Sequence, residues 1–188
     1  MTLKPSPRYY WIGIGLFALF FLGGYYMGGN SLVVKHVLTI LKPFFKKIIG
    51  DNSDLHVLLS ILLNNTIKAF AVVLFGFFFW IFPSFFVLVN GGIVGFITRI
   101  FLDRGGTFLL LTAALLPHGI FEGAAFFIAL AYSFWLSTRF MRKLTHAEPF
   151  RPYFYAALRA YAKIILPLLI IAAVIETFVT PLIMGWVQ

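Results

Sequence analysis

The 188-residue chain contains no cysteine and only six acidic residues, against fifteen lysines and arginines. Without cysteine it has no disulfide, no thiolate metal ligand and no cysteine nucleophile. Charged residues make up 11% of the chain, less than half of the roughly 25% that is typical of soluble domains. The sequence also lacks an HExxH zinc helix, a GxSxG elbow, a GxGxxG pattern and a P-loop. These absences argue against an enzyme.

What the chain has in excess is apolar surface. Hydrophobic residues make up 61% of it, and the mean hydropathy is +0.96. A soluble core of this length could not bury so many apolar side chains. The composition therefore predicts a multi-pass protein of the cell membrane, with residues 1–188 forming a single transmembrane domain. The net charge of +9 comes mostly from basic residues that flank apolar segments, which favours contact with anionic lipid headgroups rather than nucleic acid.

The first apolar segment, from about Tyr10 to Met27, is long enough to span a bilayer. A basic start followed by an apolar run is also how a signal peptide begins. No small-residue cleavage site follows, so we expect the segment to be retained as a helix. In residues 31–50, apolar residues recur at helical spacing on one face and lysines on the opposite face. This pattern predicts an amphipathic helix in the membrane interface. A solvated helix packed on the bundle is the alternative.

The basic residues predict the topology. Residues 139–163 carry six lysines and arginines and are expected to form a cytoplasmic connection, on the same side as Lys4 and Arg8. An even number of crossings then separates the two basic regions. The first helix and the helix just before residues 139–163 account for two of these crossings. The chain between those two helices must then supply two more, as a hairpin of two short helices that turns around Pro83. Two broken half-helices meeting at Asn90 are the alternative. The prediction is an all-α bundle of about five membrane helices, with kinked or broken central helices and one interfacial helix.

One polar stretch interrupts the apolar segment that runs from about Thr107 to Leu136. His118 and Glu122 lie one helical turn apart and should project from the same face. Pro117, just before them, is expected to bend or break the helix. A charged side chain deep in a bilayer costs about 2.5–3.5 kcal/mol or more. Glu122 should therefore be paired, neutralised or turned towards a polar interior.

A second acid, Glu176, lies deep in the last apolar segment, whereas the other four acidic residues stand in polar turns. Carboxylate, imidazole and amide oxygens suit divalent cations, and they also suit a proton relay. We therefore predict a buried cation site that holds a divalent metal or a proton. A purely structural hydrogen-bond network is the alternative. The candidate ligands are His118, Glu122, Glu176, Asn64, Asn65 and Asn90.

These polar positions, taken with their neighbours, carry a resemblance. The chain from about Asn64 to Pro181 is similar to the stage II sporulation protein M family of integral membrane proteins. The most specific part is the LPHG-x-x-E stretch that ends at Glu122. Asn64-Asn65, Asn90-Gly91 and Ile175-Glu176 accompany it. The resemblance implies an all-helical membrane protein, and for the family's namesake a membrane anchor for peptidoglycan-cleaving partners during engulfment.

Two functions follow from these observations. The first is a membrane protein that binds or conducts a cation at the buried site. Glycine-rich helix faces, such as Gly119 and Gly123, suggest that it acts as a homodimer. The second is a non-enzymatic membrane scaffold or membrane-remodelling protein that anchors partner membrane proteins, as the resemblance implies.

Overall fold

The computed structural model describes residues 3–39 and 53–187, and the regular structure within these ranges is entirely helical. Five helices are long and apolar enough to cross a membrane, which confirms the predicted all-α bundle. They are α1 (Pro7–Met27), α2 (Asp54–Leu74), α3 (Ile81–Asp103), α4 (Phe108–His146) and α5 (Arg151–Trp186). Residues 31–39 are also helical, beginning at a cap formed by Asn30. The rest of the predicted amphipathic helix lies outside the described residues.

Helix α4 forms the centre of the bundle. Residues 129–137 of α4 are buried on every side, which is typical of a helix surrounded by other helices. The aromatic side chains of Phe134 and Trp135 in this stretch are at most 2% exposed. Because α4 also carries His118 and Glu122, the polar stretch belongs to the helix that organises the fold.

Helices α1 and α3 run in the same direction and lie in very close contact. Gly24 of α1 lies against the backbone of Gly92, and Gly28, the residue that follows α1, lies against Arg99. A Cβ atom at Gly24 would overlap the carbonyl oxygen of Gly92, and a Cβ atom at Gly95 would overlap that of Phe21. The small-residue face of α1 is therefore used inside the chain, to let two backbones approach.

The directions of the remaining helices follow from contacts with α4. Along α1, Gly13 lies against Leu130, and the ring of Phe17 lies 5.8 Å from that of Phe126. The two residue numbers change in opposite senses, so α1 and α4 are antiparallel. By the same reasoning α2 is parallel to α4 and α5 is antiparallel to it. The basic end of α4 thus lies beside the start of α1, as the predicted topology requires.

The α2–α3 hairpin turns before Pro83, not around it. The turn spans residues 75–80, and Phe79 and Trp80 adopt left-handed backbone conformations, with φ of 39° and 63°. Ser137 of α4 secures it, because its hydroxyl accepts a hydrogen bond from the Trp80 N–H at 3.0 Å and donates one to the Gly76 carbonyl. Pro83 instead lies in the first turn of α3, where its missing N–H leaves no helical bond unmade.

The predicted helix breaks are not found. Helix α3 is continuous through Asn90, which excludes the alternative of two half-helices meeting there. Helix α4 is likewise continuous through Pro117. Irregularity occurs instead in α5, where two π-helical segments, Tyr161–Ile165 and Ile175–Val179, separate three α-helical stretches.

Candidate functional site

The two buried acids and the histidine meet. His118 and Glu122 extend from one face of α4, and Glu176 reaches them from α5. One ligand atom from each of the three side chains lies within 4.8 Å of the other two. His118 is buried and the two glutamates are partly buried. Residues separated by more than fifty positions in the chain therefore form one cluster, which we call the acid–histidine cluster.

The local structure of α5 positions Glu176. This residue lies within the second π-helical segment, where the chain makes i→i+5 rather than i→i+4 hydrogen bonds and fits an extra residue into the turn. Thr180, the first residue after it, is 9% exposed. Its Oγ1 lies 3.3 Å from His118 Nδ1, within hydrogen-bonding distance. Single π turns in α-helices occur frequently at functional sites, so this irregularity marks the same position as the polar side chains.

A small cavity adjoins the cluster at Glu122. Besides Glu122, its polar lining is Asn65 and Lys68 from α2 and Asn90 from α3. Its volume is about 30 Å³, enough for about one water molecule with several polar partners. Asn90 donates its side-chain N–H to the Phe86 carbonyl at 2.8 Å, which leaves its amide oxygen available as an acceptor.

Not all of the predicted ligands reach this region. Asn64 is exposed, and its amide donates to the Asn65 side-chain oxygen at 3.4 Å. Asn65 lines the cavity, whereas Asn64 does not. Of the six predicted residues, three form the cluster, two line the adjoining cavity, and one lies outside both.

Lys68 is the functional candidate that the sequence analysis leaves out. It lines the same cavity as Glu122, and its ammonium is within Coulombic range of both Glu122 and Glu176. A lysine at the start of an apolar segment usually extends its ammonium group to the membrane interface. Its position in the sequence therefore does not indicate a place in a buried site. The polar region therefore contains two carboxyl groups, one ammonium and one imidazole.

The cluster lies deep in the bundle. Glu122 lies fourteen positions after Phe108, at the start of α4, and seventeen positions before Arg139, near its basic end. At 1.5 Å per residue these separations correspond to about 21 Å and about 26 Å along the helix. Three further polar atoms within the membrane-spanning helices, the hydroxyl oxygens of Thr66, Tyr153 and Thr177, are buried without a hydrogen-bond partner among the described residues.

The similarity to known proteins covers most of the bundle and not only the acid–histidine cluster. Residues 13–181 match the family model of stage II sporulation protein M. No curated protein and no solved structure matches the chain. The matched range begins in α1, ends in α5 and includes every residue of the acid–histidine cluster. This helical membrane protein therefore belongs to the stage II sporulation protein M family.

Proposed function

We propose that the protein binds a divalent cation at the acid–histidine cluster and conducts it across the cell membrane, with a proton as the alternative occupant. The observation that carries the proposal is the convergence of His118, Glu122 and Glu176 within 4.8 Å, inside helices of high hydropathy. Ionisable side chains are rare at such depth and commonly mark ion pathways or proton relays.

The donor set fits a transition metal. Imidazole nitrogen and carboxylate oxygen are both zinc ligands, and three protein ligands leave the fourth tetrahedral position for water or another group. Small rotations of His118, Glu122 and Glu176 would bring their ligand atoms, now within 4.8 Å of one another, to a common ion at about 2.0–2.2 Å. The amide oxygens of Asn65 and Asn90, which line the adjoining cavity, suit water molecules bound to the same ion.

The charges near the cluster support exchange between a metal and a proton. Glu122 and Glu176 contribute two negative charges when ionised, and Lys68 contributes one positive charge. One added proton brings this sum to zero, which is the state that a low-dielectric environment favours. A divalent ion would have to displace that proton and bind despite repulsion by the Lys68 ammonium. Binding should therefore release protons into solution.

Metal binding by the purified protein tests this proposal. In neutral detergent, equilibrium dialysis against Zn²⁺ or Mn²⁺ should show one tightly bound ion per chain. Replacing Lys68 with glutamine should tighten binding by about tenfold or more, because a unit charge near a bound ion contributes on the order of kcal/mol at an effective dielectric of about 20.

Asp54→Asn is the matched control, since it removes an exposed carboxylate at the start of α2. It should leave the affinity unchanged. Absence of a tightly bound ion in the wild type, or weaker binding after Lys68→Gln, would contradict the proposed role of the cluster.

We also propose that the protein is a homodimer in the membrane. Gly119 and Gly123 form a small-residue face on α4, and a Cβ atom at either position would meet nothing within 4 Å. The equivalent face on α1 is already occupied by α3, so this one is open to a second chain. Light scattering in detergent should give the mass of two chains for the wild type, and of one chain for Gly119→Leu.

A further inference from the structure

A second charged site lies at the C-terminal end of α4, away from the acid–histidine cluster. Lys4 and Arg8, from the start of the chain, meet Arg139 and Arg142, from the end of α4, around a crevice of about 270 Å³. Ser6 and Thr138 add hydroxyl groups to its lining. Four cations from two distant segments thus line one crevice, which we call the basic crevice.

Buried aromatic rings hold two of these guanidinium groups. Arg8 donates to the Tyr9 hydroxyl at 2.8 Å, and its guanidinium carbon lies 4.7 Å from the centre of the Tyr9 ring. The guanidinium carbon of Arg139 lies 4.4 Å from the centre of the Tyr153 ring. Both tyrosines are at most 3% exposed. The two guanidinium groups are therefore positioned before any ligand arrives, which lowers the entropy cost of binding.

The positive charge in the crevice is only partly neutralised. Glu148 pairs with Arg139 at 3.4 Å and with Arg142 at 3.8 Å. With that one carboxylate set against four cations, three positive charges remain in excess. Cations that share a confined space repel one another, and a bound anion removes this repulsion. The crevice is therefore complementary to a group with more than one anionic oxygen, such as a phosphate.

An apolar groove continues from the crevice. Lys4 lines both spaces, and the groove of about 390 Å³ also contains Leu3, Tyr132, Ala156 and Ile164. Arg159 and Lys163 add basic groups to it. A free phosphate would use only the crevice. A phospholipid would use both spaces, because its phosphate is joined to a glycerol backbone and acyl chains.

We propose that the basic crevice binds the phosphate headgroup of an anionic phospholipid, whose glycerol and upper acyl chains occupy the adjoining groove. Basic pockets between membrane helices on the cytoplasmic side are the usual setting for anionic headgroups. This site is separate from the acid–histidine cluster and does not depend on the proposed cation binding.

Lipid titration of the full-length protein in neutral detergent tests the proposal. Phosphatidylglycerol should raise the unfolding temperature in a saturable manner, whereas phosphatidylcholine and inorganic phosphate at equal concentration should raise it little. Replacing Arg139 and Arg142 together with glutamine should weaken phosphatidylglycerol binding by roughly thirtyfold, since each basic residue near an anionic surface contributes about fivefold. Lys143→Gln with Arg151→Gln removes the same charge outside the crevice and should change the affinity by less than about threefold.

Two further variants separate a binding effect from a folding effect. Lys4→Gln with Arg8→Gln leaves the Glu148 ion pairs intact and should weaken binding by a similar factor. Glu148→Gln removes the competing carboxylate and should tighten binding, which a damaged fold would not do. Equal stabilisation by phosphatidylcholine or by inorganic phosphate would overturn the proposal. Equal losses in the crevice pair and the control pair, or no gain from Glu148→Gln, would overturn it as well.

Discussion

Replacing Glu122 and Glu176 together with glutamine should reduce divalent-cation flux into proteoliposomes by about a hundredfold or more, to the leak of protein-free vesicles. Glutamine keeps the size of glutamate but removes its charge, so the variant loses two of the three anionic or nitrogen ligands in the cluster. Loss of a residue that merely supports a metal ligand already costs about tenfold to a hundredfold in affinity or activity. The influx of Mn²⁺ or Zn²⁺, followed with a dye enclosed in the vesicles, gives the rate directly.

The control for this experiment is again Asp54→Asn, which should conduct like the wild type because its carboxylate is exposed and distant in sequence from the cluster. The single variants should each fall between the wild type and the double variant. Equal flux in the wild type and the double variant would contradict cation conduction through the cluster. The scaffold function implied by the family would then be the better proposal.

Gly95→Leu should cause a large loss of stability, because it disrupts the close contact between α1 and α3. A Cβ atom at Gly95 would overlap the backbone carbonyl of Phe21, and backbone cannot rotate away as a side chain can. The two helices would have to separate along their length, at a cost of about 3 kcal/mol or more in the free energy of unfolding. Unfolding by sodium dodecyl sulfate in mixed micelles, followed by tryptophan fluorescence, measures the change.

Gly15→Leu is the matched control, because it makes the same change on α1 at a position where a Cβ atom meets nothing within 4 Å. Its free energy of unfolding should stay close to that of the wild type, or rise slightly because leucine favours a helix more than glycine does. Equal stability of Gly95→Leu and Gly15→Leu would mean that α1 and α3 are not in close backbone contact.

The number of helices and the meeting of the two acids could both be predicted from the sequence. Apolar segments of membrane-spanning length are visible in hydropathy alone. Basic residues at both ends then fix how many crossings the ambiguous central region must supply. Glu122 and Glu176 could be paired because a carboxyl group in an apolar helix requires a polar partner. Both inferences depend on the cost of placing charge in hydrocarbon, which can be judged from one segment without knowing which helices pack against it.

The details that were wrong or missed depend on contacts between distant residues. The α2–α3 turn lies before Pro83 because Ser137, more than fifty residues away, binds both Trp80 and Gly76. Lys68 joins the polar region only because α2 packs beside α4. The glycines of α1 suggest a helix interface, but the sequence does not say that its partner is α3 of the same chain. Hydrophobic periodicity shows which face of a helix is apolar, but it does not show which helix packs against that face.

The most direct measurement is the position of a metal ion in crystals soaked with Zn²⁺, located by its anomalous scattering. If the buried acids and the histidine act jointly, one peak will lie among His118, Glu122 and Glu176, about 2.0–2.2 Å from a ligand atom of each. The peak will disappear in the Glu122→Gln, Glu176→Gln double variant. A saturating soak that places zinc only at other residues, and leaves these three side chains without a peak, would contradict the proposed site.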